Sequence, residues 1–245
     1  MILPMIHRWL RRNDLALLVA EIAEADAKAA QHAMTALDAG DVDAVLDSPT
    51  ALAVVRGRGG APAALSLPLL WYIPVRATLR ERGVPDIDIA DFTATLPVTF
   101  ASSRALRRLG VGEPALTKWM EAISTLPAGT VAQAERAAHC AAVALWWAGC
   151  FPERISALGG QGALRAYGDF AASALEQSAA ILRHHAPEQG LLYSRVAHSA
   201  PILLEGLQDA RTDYLGPSSH SPSARLARYL ARTQPDEPAT DSNAA

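Results

Sequence analysis

The stretch HCAAVALWWAGCFPERI, residues 139–155, decides the fold, because it is an almost uninterrupted apolar run with a defined end. It contains both cysteines of the chain and two of its five tryptophans. A membrane-spanning helix needs about 20 consecutive apolar residues. The run over residues 137–151 is shorter than that, and charged residues stand on both sides of it. The stretch therefore predicts a buried core helix that ends at Pro152.

The rest of the chain also carries a helical pattern. Alanine and leucine dominate, and no clean apolar–polar alternation runs for more than a few residues. Residues 13–40 read as one helix, with a cap signal at Asn13 and a stop at Gly40. Pro74, Pro97 and Pro201 fall inside helical segments, which each is expected to kink or split. We therefore predict an all-α protein, an irregular multi-helix bundle of about seven to nine helices, several of them kinked by proline.

Composition limits the partners that the chain is expected to have. Half of the 245 residues are apolar and 19% are charged, which is typical of a folded globule. A net charge of -3 provides no basic surface for nucleic acid and no overall attraction to an anionic membrane. The basic residues that could still cluster locally are the arginines at positions 76, 80, 82, 104, 107 and 108. Frequent alanine, and arginine in place of lysine, suggest a bacterial source.

Two further features concern location and domain organisation. The first twelve residues place their charges after a short apolar stretch, unlike a secretory signal, so we predict a cytoplasmic protein. Glycines and a proline at residues 54–62 mark the clearest break in the chain. We predict an N-terminal helical segment, residues 1–56, packing on a main helical domain, residues 60–216. A linker with a short terminal helix, residues 217–233, and a disordered tail, residues 234–245, would follow.

One histidine defines a candidate metal site. Glu135 and His139 stand four residues apart on one helix face, and carboxylate and imidazole both suit zinc or iron. His185, near the core edge of a later helix, is the third candidate ligand. The alternative is a partly buried histidine hydrogen-bonded to Glu135 or to a neighbouring helix. The Glu-x-x-His unit of bundle carboxylate sites is absent from the chain, and no cofactor is predicted from the pattern alone.

Patterns for nucleophilic catalysis are missing. The sequence has no Gly-x-Ser-x-Gly elbow, and both cysteines fall in the middle of a predicted helix. Their ten-residue spacing places them about 15 Å apart along a helix axis, too far for a disulfide. They are expected to behave as small apolar residues. The stretch GGQG, residues 159–162, lacks the spacing of a phosphate-binding loop, so no small-molecule ligand is identified.

Four segments carry a resemblance to a known family. They are LPLLWYIPVRATLRERGVPDIDIADFTATLPVTF (67–100), AERAAHCAAVALWWAGCFPERI (134–155), YGDFAASAL (167–175) and LEGLQDARTDYL (204–215). Together they resemble a family of bacterial all-helical proteins without an assigned activity, over residues 65–216. The most specific element is Phe-Pro-Glu-Arg, residues 151–154, and the chain departs from the pattern at GGQGALRAY. The resemblance implies an all-helical fold and leaves the function open.

Two functions remain open at this point. The first is a non-enzymatic protein-interaction or regulatory module that binds a protein partner, including itself as a homodimer. The amphipathic stretch MILPMIHRWLRR, residues 1–12, is then expected to dock on a second subunit. The alternative is a metal- or cofactor-binding protein of the haem-oxygenase-like or di-iron-like kind, with Glu135, His139 and His185 inside the bundle.

Overall fold

The computed structural model describes residues 6–57, 65–100 and 115–215. Within these ranges the chain forms eleven α-helices and no strand, so the all-α prediction is confirmed, with slightly more helices than expected. In chain order they are α1 (Ile6–Trp9), α2 (Arg12–Ala25), α3 (Ala27–Asp38), α4 (Val42–Leu46), α5 (Pro49–Val55), α6 (Leu67–Glu81), α7 (Ile87–Phe100), α8 (Leu116–Ser124), α9 (Val131–Cys150), α10 (Pro152–Leu182) and α11 (Pro187–Leu215).

One of the additional helices arises at Asp26, where the segment predicted as a single helix is divided into α2 and α3. Its backbone is extended, with φ -158° and ψ 103°, so α2 ends there. Its carboxylate then accepts hydrogen bonds from the backbone amides of Lys28 and Ala29, at 2.9 and 3.0 Å, and caps α3. Aspartate favours such a capping position over a helix interior. Gly40, with φ 78°, follows the end of α3 as predicted.

The interior prolines do not split their helices. Pro74, Pro97 and Pro201 lie inside α6, α7 and α11, and each helix continues beyond its proline. The break in helical dihedrals that the structure shows is in α10, at Gly159 and Gly160. Gly160 has φ 66° and ψ -158°, a conformation that is essentially restricted to glycine. The GGQG stretch therefore contains a kink that separates two helical segments within the range given for α10.

Helix α9 is the centre of the bundle and contains most of the stretch that decided the fold. Thr130 caps it by accepting a hydrogen bond from the Gln133 amide at 3.2 Å, and every residue from 137 to 150 is buried. It packs against α10 and α11, and also against α7 and α8. The predicted core helix is thereby confirmed. Among the described residues, no helix combines the length and the apolar character needed to cross a membrane.

The N-terminal helices α2–α5 pack on one another and meet the bundle through α5, which lies on α6. Helix α1 packs on α6 and α7, and its Ile6 is fully buried. The Ile6 amide donates a hydrogen bond of 2.7 Å to the buried carboxylate of Asp91. Trp9 and Leu10 are partly buried against the same core. The described part of the amphipathic stretch thus covers its own chain, contrary to the expected docking on a second subunit.

Several predictions concern residues outside the described ranges. These are the linker with its terminal helix, the tail, most of the Gly- and Pro-rich break, and the arginines at positions 104, 107 and 108.

Candidate functional site

His139 lies in the core of the bundle, on α9. Its ring packs edge-on against the ring of Phe100, with the ring centroids 5.7 Å apart. The ring of Phe100 also packs against that of Trp146, with a centroid separation of 5.5 Å. The Nε2 atom is buried and has no hydrogen-bond partner among the residues that the structure describes. Burial disfavours the charged imidazolium and lowers the pKa of His139 to about 4. The side chain is therefore neutral at physiological pH and sits among aromatic rings.

The side chains of the other two candidate ligands are exposed to solvent. Glu135, one turn before His139, is exposed at the beginning of α9, and His185 is exposed in the turn between α10 and α11. The part of the chain that the structure describes contains no group of three or more His, Cys, Asp or Glu side chains that could hold a metal ion. The structure therefore does not gather Glu135, His139 and His185, and the metal site stays a hypothesis from the sequence.

Both cysteines are free thiols in the core, as the sequence predicted. Burial raises the pKa of Cys140 to about 11 and that of Cys150 to about 12. Each thiol is therefore protonated at neutral pH, whereas the nucleophilic form of cysteine is the thiolate. Their role is to fill space between helices.

A network around Arg76 is the main feature that sequence reasoning missed. The buried guanidinium donates to both carboxylate oxygens of Asp47, at 2.6 Å each, and to Asp43 at 2.5 Å. Tyr72 lies one turn earlier on α6, with its hydroxyl 3.0 Å from Arg76. Burial by itself lowers the pKa of Arg76, but the hydrogen bonds to Asp47 and Asp43 outweigh it and raise the pKa. No local signal in the sequence pointed to this network, because Arg76 meets Asp47 and Asp43 across 29 and 33 residues.

Two neighbouring arginines, Arg80 on α6 and Arg82 directly after it, are also paired with acidic residues. Arg80 lies 3.0 Å from Asp47, and Arg82 binds Glu205 and Asp209 of α11. Arg76, Arg80 and Arg82 therefore join helices to one another instead of forming a free basic surface.

A groove between α8, α9 and α10, called here the α8 groove, has a volume of about 470 Å³. Trp119 anchors α8 on α10. Its buried ring packs against the rings of Tyr167 and Phe170, with centroid separations of 5.8 and 6.1 Å. Gln133 forms part of the wall, and its side-chain oxygen accepts a hydrogen bond of 2.9 Å from the Gly129 amide. The lining consists of Met120, Ile123, Ser124, Gln133, Phe170, Ser173, Ala174 and Gln177.

The chemistry of this groove is uncharged. Among the residues that the structure describes, its lining contains aliphatic, aromatic, amide and hydroxyl groups and no ionisable side chain. Met120, which is one of the lining residues, is 58% exposed. Lys118 and Glu121 flank the lining residues of α8 in sequence, and Asp169, which pairs with Arg165, precedes Phe170 on α10. Such a surface can take up apolar side chains of another molecule.

A second, smaller groove of about 260 Å³ lies between α3, α4 and the start of α5. Alanines and His32 contribute much of its lining. The capping carboxylates of Asp26 and Asp41 accept hydrogen bonds from the amides of Ala29 and Ala44, both of which line this groove. Carboxylates therefore lie next to the backbone of two of its lining residues.

Comparison with known proteins adds no relative: no protein-family model, curated protein or solved structure matches the chain. The family resemblance over residues 65–216 therefore stays a prediction, and the functional argument depends on the geometry of the chain itself.

Proposed function

We propose that the protein is a non-enzymatic interaction module that binds an apolar part of a protein partner in the α8 groove. The observation that carries this proposal is the uncharged lining of the groove, with Met120 exposed at its edge. The centres of protein interfaces are depleted of charged residues and enriched in methionine and aromatic residues. An exposed apolar patch with a polar rim is typical of an interaction site. The cytoplasmic location expected from the sequence is part of the proposal.

The placement of titratable groups supports binding over catalysis. Catalytic groups with shifted pKa values are usually found in a cleft, where substrate reaches them. Here the pKa values of His139, Cys140 and Cys150 are shifted by burial in the core. The residues that line the α8 groove include none of them.

The alternative function, binding of a metal or cofactor inside the bundle, has one observation in its favour. Within the described ranges the buried Nε2 atom of His139 has no hydrogen-bond partner, which is uncommon for a polar atom in a native core. Elemental analysis and an absorption spectrum of the purified protein test this alternative. Stoichiometric metal or a chromophore that disappears in His139→Gln would make it the leading function. Metal-free, colourless protein would count against it.

Photo-crosslinking in intact cells tests the interaction module. A photoreactive phenylalanine analogue at position 120 is expected to give protein adducts, whereas the same analogue at position 34 is not. Met34 is the matched control, since it is 57% exposed on α3, outside the groove. Ser173→Arg places a charge in the groove lining and is expected to abolish the adducts at position 120. Equal adducts at both positions, or adducts that survive Ser173→Arg, would refute the proposal.

A further inference from the structure

We propose that helices α2–α5, residues 12–55, form a lid that opens away from α6 as one unit while the rest of the bundle stays folded. Opening uncovers the face of α6 that carries Arg76 and Arg80, which Asp43 and Asp47 occupy in the closed form. The inference is independent of the proposed function, because the residues that line the α8 groove lie outside the lid.

The first argument is the sparse burial within the lid. Helix α3 buries only two alanines, Ala30 and Ala33, over its twelve residues, and α2 buries three residues out of fourteen. Helix α9, by contrast, is buried at every position from 137 to 150. Segments with few buried apolar contacts open at a lower free energy than the core of the same protein. The lid is therefore expected to open before the bundle unfolds.

The second argument is the narrow attachment of the lid. Helices α2, α3 and α4 pack on one another and on α5, and α5 is the lid helix that packs most closely on α6. This helix has seven residues, of which Ala51 and Val55 are fully buried. When α5 leaves α6, the packing inside the lid is kept. A continuous segment with its own internal packing typically opens as one cooperative unit.

The third argument is the charge at the contact between the lid and α6. The guanidinium of Arg76 is buried between the two parts and binds Asp43 and Asp47, and Arg80 also pairs with Asp47. Removing such charges from water is costly, and opening returns water to all of them. Contacts between parts of a chain that move relative to each other are more polar than permanent ones. The ion pairs thus fix the closed position, and both faces stay compatible with water after they separate.

Amide hydrogen exchange of the full chain, measured residue by residue where closing is faster than chemical exchange, tests the proposal. Amides of α2–α5 are expected to share one opening free energy that is lower than the value for α9. Gly149→Ala crowds Leu207 inside the bundle, in the closed and in the open form alike. It is therefore expected to speed exchange in α9 roughly 30-fold and to leave exchange in the lid unchanged.

A second variant acts on the closed form alone. Asp47→Asn removes the ion pairs to Arg76 and Arg80, and is expected to speed exchange in the lid about 10-fold or more. Exchange in α9 should rise by the same factor, because global unfolding starts from the same closed form. Asp169→Asn is the matched control, since Asp169 is 75% exposed and its loss should leave both regions unchanged. Circular dichroism checks that each variant is folded.

Three outcomes would overturn the proposal. Lid amides that exchange at the free energy of α9, and that Gly149→Ala accelerates equally, would show that the chain opens only as a whole. Separate opening free energies for α2, α3, α4 and α5 would show fraying of single helices. Unchanged exchange in Asp47→Asn would mean that the ion pairs do not hold the lid. If Gly149→Ala does not fold, Gly206→Ala, which crowds Leu79, provides the same test of the bundle.

Discussion

The bundle around α9 and the N-terminal unit α2–α5 share one hydrophobic core, but ion pairs add to the packing where the N-terminal unit is attached. Helix α9 is buried at every position from 137 to 150, and Gly149 allows α11 to approach so closely that a β-carbon there would lie 2.7 Å from the Leu207 side chain. The N-terminal unit is acidic and meets α6 through the ion pairs of Arg76. Close packing of side chains thus stabilises the bundle around α9, and the ion pairs of Arg76 strengthen the attachment of α2–α5 to it.

The two regions should therefore respond to different substitutions. A close-packed core is sensitive to added volume, because its neighbours have no space into which they can move. The Arg76 network is sensitive to loss of Arg76, because three hydrogen bonds between charged groups are removed at once, even though water can reach Asp43 and Asp47, whose side chains are 43% and 29% exposed.

Removal of the Arg76 guanidinium is expected to have the largest effect. Arg76→Met keeps the apolar stem and leaves Asp43 and Asp47 without their main partner, so the free energy of unfolding should fall by roughly 3 kcal/mol. Urea denaturation measures this loss, and hydrogen exchange should show that α4 and α5 become less protected. Arg80→Met is the control, because Arg80 is 47% exposed and should contribute less than about 1 kcal/mol. Equal losses for both variants would contradict a special role for Arg76.

Added volume at Gly149 is expected to have the next largest effect. Gly149→Ala places a methyl group against the Cβ and Cδ1 atoms of Leu207, and the free energy of unfolding should fall by about 2 kcal/mol. Gly162→Ala is the matched control on α10, where a β-carbon meets nothing within 4 Å. That variant should be neutral or more stable by about 0.4–1 kcal/mol. A loss of stability in Gly162→Ala as large as that in Gly149→Ala would show that packing against Leu207 is not the cause.

Acidification is expected to give a smaller effect that also originates in the α9 core. The folded protein keeps His139 neutral to a pKa of about 4, whereas the unfolded chain binds the proton near 6.5. The stabilising contribution is therefore complete above pH 6.5 and is lost progressively as the pH falls towards 4. Between pH 7.5 and 5.5 this single group should lower the free energy of unfolding by roughly 1 kcal/mol.

Denaturation curves at several pH values measure this dependence. His139→Gln should remove that part of the pH dependence, whatever its effect on stability at pH 7.5. His185→Gln changes an exposed histidine and should keep the wild-type dependence. A pH profile that His139→Gln leaves unaltered would mean that the imidazole is not buried in a neutral form.

Much of the architecture could be predicted because its causes are local. The apolar run at residues 139–155, the cap at Thr130 and the glycine after α3 act within one or two helical turns, so the sequence pattern reveals them. The division at Asp26 was missed although its cause is equally local, since its flanks continue the same helical pattern. Of the two outcomes predicted at the interior prolines, the structure rules out the split, since α6, α7 and α11 continue beyond them.

The candidate sites were less predictable because they depend on distant contacts. His139 and Glu135 share a helix and are close in sequence, yet one is buried and the other exposed, since only one faces the partner helices. Arg76 finds Asp47 across 29 residues, and the α8 groove combines residues of three helices. No local pattern indicates which side chains meet over such separations.

By itself the sequence determined the helical class, the core position of α9 and the reduced state of two buried thiols, because helical periodicity and residue polarity are properties of short segments. Only the tertiary structure decided that the candidate ligands lie apart, that Arg76 joins the N-terminal unit to the bundle, and that an uncharged groove opens beside α8. These features depend on the relative placement of helices, which is set by the packing of the whole chain.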